Sequence, residues 1–255
     1  MIDYNNSVVL IGAVGAGKSL IARTLSKKYG IEYITLDEFR HLPSITHINN
    51  VLNNVNTTPK KYDEFVRLKE LREKYPNIRS YDDFGFNMYA AEYLRKNFGI
   101  VAWHYYVKPF ENMLIKEVCE KVNGAIILDT GGGFAVSMDS RYLELKSKFE
   151  SIDKELFYKE FKHLEYVGKD VTYNLFKPFK HIYHITVSQN GISDKAKEND
   201  LNNYLLQSGD YEKICTDTID TSGLFSNKPF SEDRLLNITN KIEQTYRSKT
   251  SDDTM

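Results

Sequence analysis

Eight consecutive residues, Gly12-Ala13-Val14-Gly15-Ala16-Gly17-Lys18-Ser19, set small, flexible residues ahead of a lysine and a hydroxyl. Phosphate binding requires that order: backbone N–H groups close around phosphate oxygens only where no bulky side chain intervenes, and a following helix adds the positive end of its dipole. In such a loop Lys18 reaches the terminal phosphates, the Ser19 hydroxyl ligates Mg²⁺, and Leu20 opens the helix. The context agrees, because Val8-Val9-Leu10-Ile11 before the loop reads as a buried strand and Leu20-Ile21-Ala22-Arg23-Thr24-Leu25 after it as a helix. The sequence predicts a nucleoside triphosphate site, with ATP and Mg²⁺ as its ligands.

Two more places could carry chemistry. Asp37 follows the apolar run 31–36, and a carboxylate at the mouth of a phosphate site can orient a hydroxyl and accept its proton. Its bland alternative is the N-cap of a following helix. Asp129 follows the buried run Ala125-Ile126-Ile127-Leu128 and precedes Thr130-Gly131-Gly132-Gly133. It could hold the Mg²⁺ water shell or merely cap the turn, while the glycines expose N–H groups with no side chain in the way. Arg40 and His41 could face an acceptor or be exposed loop charges. His104 lies in the aromatic cluster Trp103-His104-Tyr105-Tyr106 and reads, from its neighbours alone, as a packing histidine before a ligand contact. His181 and His184 lie on a predicted strand, where positions i and i+3 face opposite sides, so no metal site is expected there. The Lys/Glu mixture at 146–162 reads as a solvated helix face.

The elements that must position these groups alternate. A helix is predicted from the loop to Tyr29, stopped by Gly30, then a strand over 31–36. The Asn-rich stretch 41–58 reads as mobile or a poor helix, followed by helices over 60–74, 82–97 and 110–122. Beyond the strand at 125–128 come a helical region over 140–166, a strand over 182–187, a polar stretch over 188–203, a short strand near 218–220 and a helix over 231–246 with Ser231 as N-cap. Residues 248–255 read as a disordered tail. Alternation of this kind predicts one α/β domain over 1–247: a five-stranded parallel sheet with helices on both faces, ligands outside the strand carboxyl ends, and helical insertions at 41–122 and 137–180. Composition fits, with 255 residues, 41% hydrophobic and 27% charged, enough for one core. A net charge of −1 gives no overall field toward nucleic acid or anionic membrane. Cys119 and Cys215 lie far apart in core-like patterns, suggesting neither disulfides nor zinc. The start of the chain lacks a signal-peptide pattern, and a cytoplasmic protein, monomeric by default, is expected.

Taken together, the 11–19 segment, Leu36-Asp37, Thr130-Gly131-Gly132-Gly133, and Tyr211-Glu212-Lys213-Ile214-Cys215 followed by Ile219-Asp220-Thr221-Ser222 resemble the shikimate kinase family of P-loop small-molecule kinases. The resemblance implies that Asp37 holds the acceptor hydroxyl, that Gly131, Gly132 and Gly133 let the acceptor lie against backbone, that Asp220 and Thr221 belong to the nucleotide side, and that Lys195 and Lys197 stand in a basic lid lacking arginine. Departures are equally specific. Thr35 stands where the family has a further aspartate, while His104 and Gln207 stand where arginines clamp an acceptor carboxylate. Losing two guanidinium groups removes bidentate carboxylate recognition, so the expected acceptor is a larger or less acidic hydroxyl compound than shikimate.

Two rivals remain open. A nucleoside or nucleotide kinase could use Asp37-Glu38-Phe39-Arg40 on a sugar hydroxyl or phosphate. A non-catalytic, GTPase-like regulator could use Asp129-Thr130-Gly131-Gly132 as an Asp-x-x-Gly switch, although Asn227-Lys228-Pro229-Phe230 lacks the aspartate that reads guanine.

Overall fold

A computed structural model describes residues 1–132, 171–186, 210–222 and 232–252. Strands β1 (Val8–Ile11), β2 (Glu32–Thr35), β3 (Ile126–Asp129), β4 (His181–Thr186) and β5 (Asp217–Asp220) form one parallel sheet in the order β2-β3-β1-β4-β5. This is the expected α/β architecture, with the glycine-rich loop leaving the central strand. The connections leaving β1 and β3 run to opposite sides of this parallel sheet, so the loops after these two adjacent strands are neighbours at the carboxyl edge, where such sheets bind ligands. Register aligns Asp129 with Leu10 on one side and Thr35 on the other.

Helix α1 (Lys18–Tyr29) begins on the loop and ends at the left-handed Gly30, as expected. Strand β2 is shorter than its apolar run. Leu36 and Phe39 turn into the core one helical step apart, which pulls residues 36–40 into α2 (Leu36–Arg40) and puts Asp37 in a helix's first turn rather than at a strand end. The Asn-rich stretch, expected to be mobile or a poor helix, contains α3 (Ile45–Leu52), anchored by buried Ile48 and capped by Ser44, which accepts the His47 N–H. Helix α4 (Pro59–Lys74) carries its proline in the first turn, where no N–H is needed.

The helix expected over 82–97 is broken. A 3₁₀ turn (Asp82–Phe84) ends at the left-handed Gly85, and α5 (Met88–Phe98) restarts at Asn87, whose side chain accepts the Tyr89 and Ala90 N–H groups. Helix α6 (Ile100–Lys121) starts ten residues before its expected beginning and runs through Pro109. Buried Ala102, Tyr106 and Val107 extend the stripe of Phe110, Leu114 and Val118, and tertiary burial outweighs the proline penalty of ~3 kcal/mol. Short helices α7 (Val171–Phe176) and α8 (Asp210–Ile214) precede α9 (Glu232–Asp252), which continues past 248, where a disordered tail was expected. The regions expected over 140–166 and 188–203, most of the second insertion, and Ser231 lie outside the described residues.

Alternation along the strands divides the interior into two cores. Val8, Leu10, Ile127 and Tyr183 pack with Ile21, Leu25 and Ile242 of α1 and α9. Val9, Ile11, Ile126 and Leu128 pack on the opposite face with Phe110, Leu114 and Val118 of α6. Every residue of β1 and β3 is buried, as a sheet covered on both faces demands. Cys119 is buried, its thiol pushed up to about 11 chiefly by desolvation, while Cys215 is only half-buried; neither is in a disulfide. Among the described residues no helix is long and apolar enough to cross a membrane.

Candidate active site

The loop leaving β1 is shaped by close backbone contacts. Gly12 has φ +139°, and a Cβ there would fall 2.3 Å from the Ile185 carbonyl oxygen of β4, so only glycine fits. Ala16 donates its N–H to the Ala13 carbonyl at 3.3 Å. Beneath the loop, the buried Thr221 hydroxyl lies 2.9 Å from the Ala16 carbonyl and 2.8 Å from that of Thr186, tying β4 and the segment after β5 to the loop. Thr221, expected on the nucleotide side, thus supports the loop from below. Asp220 is exposed, and hydrogen bonds from the Ser222 hydroxyl, then from the Ser222 N–H, lower its pKa. Val14 stands at the open tip, and buried Lys18 donates from Nζ to the Gly12 and Ala13 carbonyls, both at 2.9 Å. Burial lowers the Lys18 pKa, while Asp129 and Asp37 pull it back up.

At the head of α1 the Ser19 hydroxyl donates to Asp129 Oδ2 at 2.5 Å, and Asp129 Oδ1 accepts the Gly131 N–H at 3.0 Å. Ser19 keeps its lone pairs while its O–H points at Asp129, and hard oxygen donors of this kind fit Mg²⁺. Asp129 therefore caps its turn, the second of the two readings its sequence position allowed, with its other oxygen beside Ser19. Tyr33 reaches the same carboxylate oxygen at 3.5 Å, a group that sequence reasoning did not single out.

Across the loop lies a second constellation. A Cβ on Gly131, where φ is +69°, would fall 2.5 and 2.7 Å from the two Asp37 carboxylate oxygens; one on Gly132 would fall 2.3 Å from Val14 Cγ2. The glycine turn therefore touches Asp37 on one side and the loop tip on the other, bringing three separately predicted features together. Asp37 keeps 52% of its side-chain surface exposed, yet desolvation of its carboxylate raises its pKa against the opposing pull of Arg40, whose Nε lies 3.2 Å away. Arg40 is mostly buried in α2 rather than an exposed loop charge, and its other end reaches Glu111 of α6 at 3.7 Å. Glu111, 0% exposed, pairs at 2.5 Å with Lys108, which is equally buried. Tyr81 lies beside this cluster; burial, then Glu111, drives its phenol pKa well up.

Lys108 and Glu111 were missed from sequence. Their signal was legible: they fall three apart on the buried stripe of α6, among Val107, Phe110 and Leu114, where charge is anomalous. His104, expected at the acceptor, is 1% exposed instead, packed edge-on against Trp103 at 4.9 Å. Burial, reinforced by Lys108 and Arg40, lowers its pKa well below the ordinary value, so it is a neutral ring inside the core rather than a stand-in for arginine. His41 stays half-exposed, 3.7 Å from Asp82. His181 is buried, and His184 stacks on Tyr211 at 4.8 Å, with its pKa lowered by burial. Gly133, Lys195, Lys197 and Gln207 lie outside the described residues.

No protein-family model matches this chain, and no curated protein matches it. Among solved structures it is similar to a shikimate kinase from Acinetobacter baumannii in complex with shikimate, at 14% identity and a TM-score of 0.45, over 96% of this chain and 94% of that one. It is also similar to a shikimate kinase from Bacteroides thetaiotaomicron, at 12% identity and a TM-score of 0.39, over 94% of this chain and 98% of that one.

Proposed function

We propose that the protein is an ATP- and Mg²⁺-dependent kinase that phosphorylates a hydroxyl of a small molecule. The observation that carries this reading is the turn at Gly131 and Gly132, which lies against the Asp37 carboxylate and the tip of the glycine-rich loop at once. A nucleotide binder without an acceptor needs the loop; it has no use for a carboxylate held against the turn beside it.

Each residue has a task that follows from its position. Backbone N–H groups of Gly12, Ala13, Val14, Gly15, Ala16 and Gly17 cradle the phosphates, with Ser19 and Leu20 at the dipole end of α1. Lys18 moves its ammonium from the Gly12 and Ala13 carbonyls to the transferring phosphoryl group. Ser19 and Asp129 hold Mg²⁺, which supplies neutralisation of phosphate charge. Asp37 orients the acceptor hydroxyl and takes its proton, which a raised pKa favours by bringing the carboxylate closer to the acceptor's own basicity. Arg40 fixes the Asp37 carboxylate in place, and Gly131, Gly132 and Gly133 leave room for the acceptor against backbone. Lys195 and Lys197 add positive charge from a lid.

ADP release from ATP·Mg²⁺ tests the reading, measured with shikimate, polyols, sugars, nucleosides and nucleotides as acceptors. Release stimulated by one acceptor class is expected. Nucleotide binding with no stimulation by any class would overturn it in favour of a regulatory binder.

A further inference from the structure

The acceptor side holds more buried charge than the kinase reading uses. Glu111 and Lys108 are both buried, three residues apart on one face of α6, with Lys108 Nζ 2.5 Å from Glu111 Oε2. Taking two such charges out of water costs about as much as their attraction returns, and an apolar pair of similar volume is commonly as stable or more so. Stability alone therefore gives no reason for the pair, and its surroundings supply one. The other carboxylate oxygen, Glu111 Oε1, faces Arg40 Nη2 at 3.7 Å, and Arg40 Nε lies 3.2 Å from Asp37 Oδ1. Lys108, Glu111, Arg40 and Asp37 thus form a row of alternating sign that starts inside α6 and ends at a carboxylate with half its surface in solvent.

Arg40 is shared between two carboxylates, and Lys108 decides how it is shared. Glu111, already paired at 2.5 Å with Lys108, competes weakly for the guanidinium and leaves it to Asp37, the shorter of its two carboxylate contacts. Two titratable neighbours add no charge near neutral pH: burial drives the Tyr81 phenol pKa well up and the His104 imidazole pKa well down. From other elements, Lys18 of α1 and Asp129 of β3 act on Asp37 with opposite signs. We infer that Lys108 and Glu111 are positioning residues for Asp37: the pair leaves Arg40 to Asp37 and so holds the acceptor-side carboxylate, charged, against the glycine turn. This deepens the kinase reading and rests on it for its chemistry, since there Asp37 takes the acceptor's proton.

Carboxyl-carbon NMR on the full chain without ligands reads the titration of Asp37 directly, with its resonance assigned by Asp37→Asn. Lys108→Met keeps the length of the side chain and removes its charge, so Glu111 draws on Arg40, and the Asp37 midpoint is expected to rise by about one pH unit. Glu111→Gln removes the competitor, and the midpoint is expected to fall. Opposite shifts are the signature, because a change that only loosened α6 would move Asp37 the same way in both. An unmoved midpoint, or shifts of the same sign, overturns the inference; should Lys108→Met not fold, the Glu111→Gln arm alone decides, and a midpoint there that stays or rises overturns it. The titration needs no acceptor, so a wild-type chain without acceptor-stimulated ADP release overturns the kinase reading while the coupling stands. With such release, the acid limb of kcat/KM is expected to follow the midpoint in each variant, and a limb that stays put while the midpoint moves overturns the part given to the pair in the reaction.

Discussion

The two sides of the Gly131 turn are held by different physics. On the phosphate side, hydrogen bonds of 2.5–2.9 Å join Lys18 to its own loop and Ser19 to the neighbouring strand. On the acceptor side, ion pairs at 3.2 and 3.7 Å run from Asp37 through Arg40 to Glu111, on helices distant in sequence. The first depends on backbone geometry that a few residues dictate. The second depends on where α6 packs, so substitutions in that helix are expected to shift Arg40 and Asp37 without disturbing Lys18 and Ser19.

The largest effect should come from the side the loop dictates. Lys18→Ala is expected to reduce acceptor-dependent ADP release by at least about 10³-fold and to weaken nucleotide binding in calorimetry, because the mobile charge that meets the phosphoryl group is gone. Asp37→Asn should split the two sides: turnover falls by about 10²–10⁴-fold while ADP affinity holds, and a parallel loss of both would erase the distinction. Glu111→Gln removes the buried counter-charge 2.5 Å from Lys108, and urea denaturation should read a loss of about 3–5 kcal/mol.

A smaller effect concerns pH. As the proposed base, Asp37 would work only when ionised; desolvation raises its pKa, and Arg40 opposes that rise. Activity should therefore decline on acidification at a pH above the ordinary aspartate range, and Arg40→Gln should move that acid limb of kcat/KM to still higher pH. A limb that stays put or moves down would mean that Arg40 does not set the charge of Asp37. The smallest change is expected for Thr221→Val, which removes one buried hydroxyl from under the loop and should cost about 1 kcal/mol by thermal or chemical denaturation.

The same contrast governs what could be read from sequence. Gly12 to Ser19 are contiguous, so their chemistry is written in order, and Asp129 with Gly131 follows a strand too apolar to mistake. The centre of the sheet was legible for a similar reason, since β1 is a short apolar run before a glycine and β3 one that ends in an aspartate. The acceptor side was not, because its residues meet only through packing. Leu36 continues the apolar run of β2, and nothing local says that it turns into α2 to pack beside Phe39. Helix α6 was read from 110, which left Lys108 outside it and hid the fact that Lys108 and Glu111 share a buried stripe. Asn-rich α3 was obscured by composition, although Ser44 and Ile48 supply a cap and an anchor.

The seat of Lys18 on the Gly12 and Ala13 carbonyls bears on the timing of the catalytic cycle. An ammonium with two carbonyl acceptors competes with any incoming phosphate, so binding is an exchange of partners with a step of its own. Stopped-flow mixing with a fluorescent ADP analogue should show an observed rate that saturates as the analogue is raised. Under the proposed function the same carbonyls would take the lysine back as the product leaves, making release, like binding, an exchange of partners.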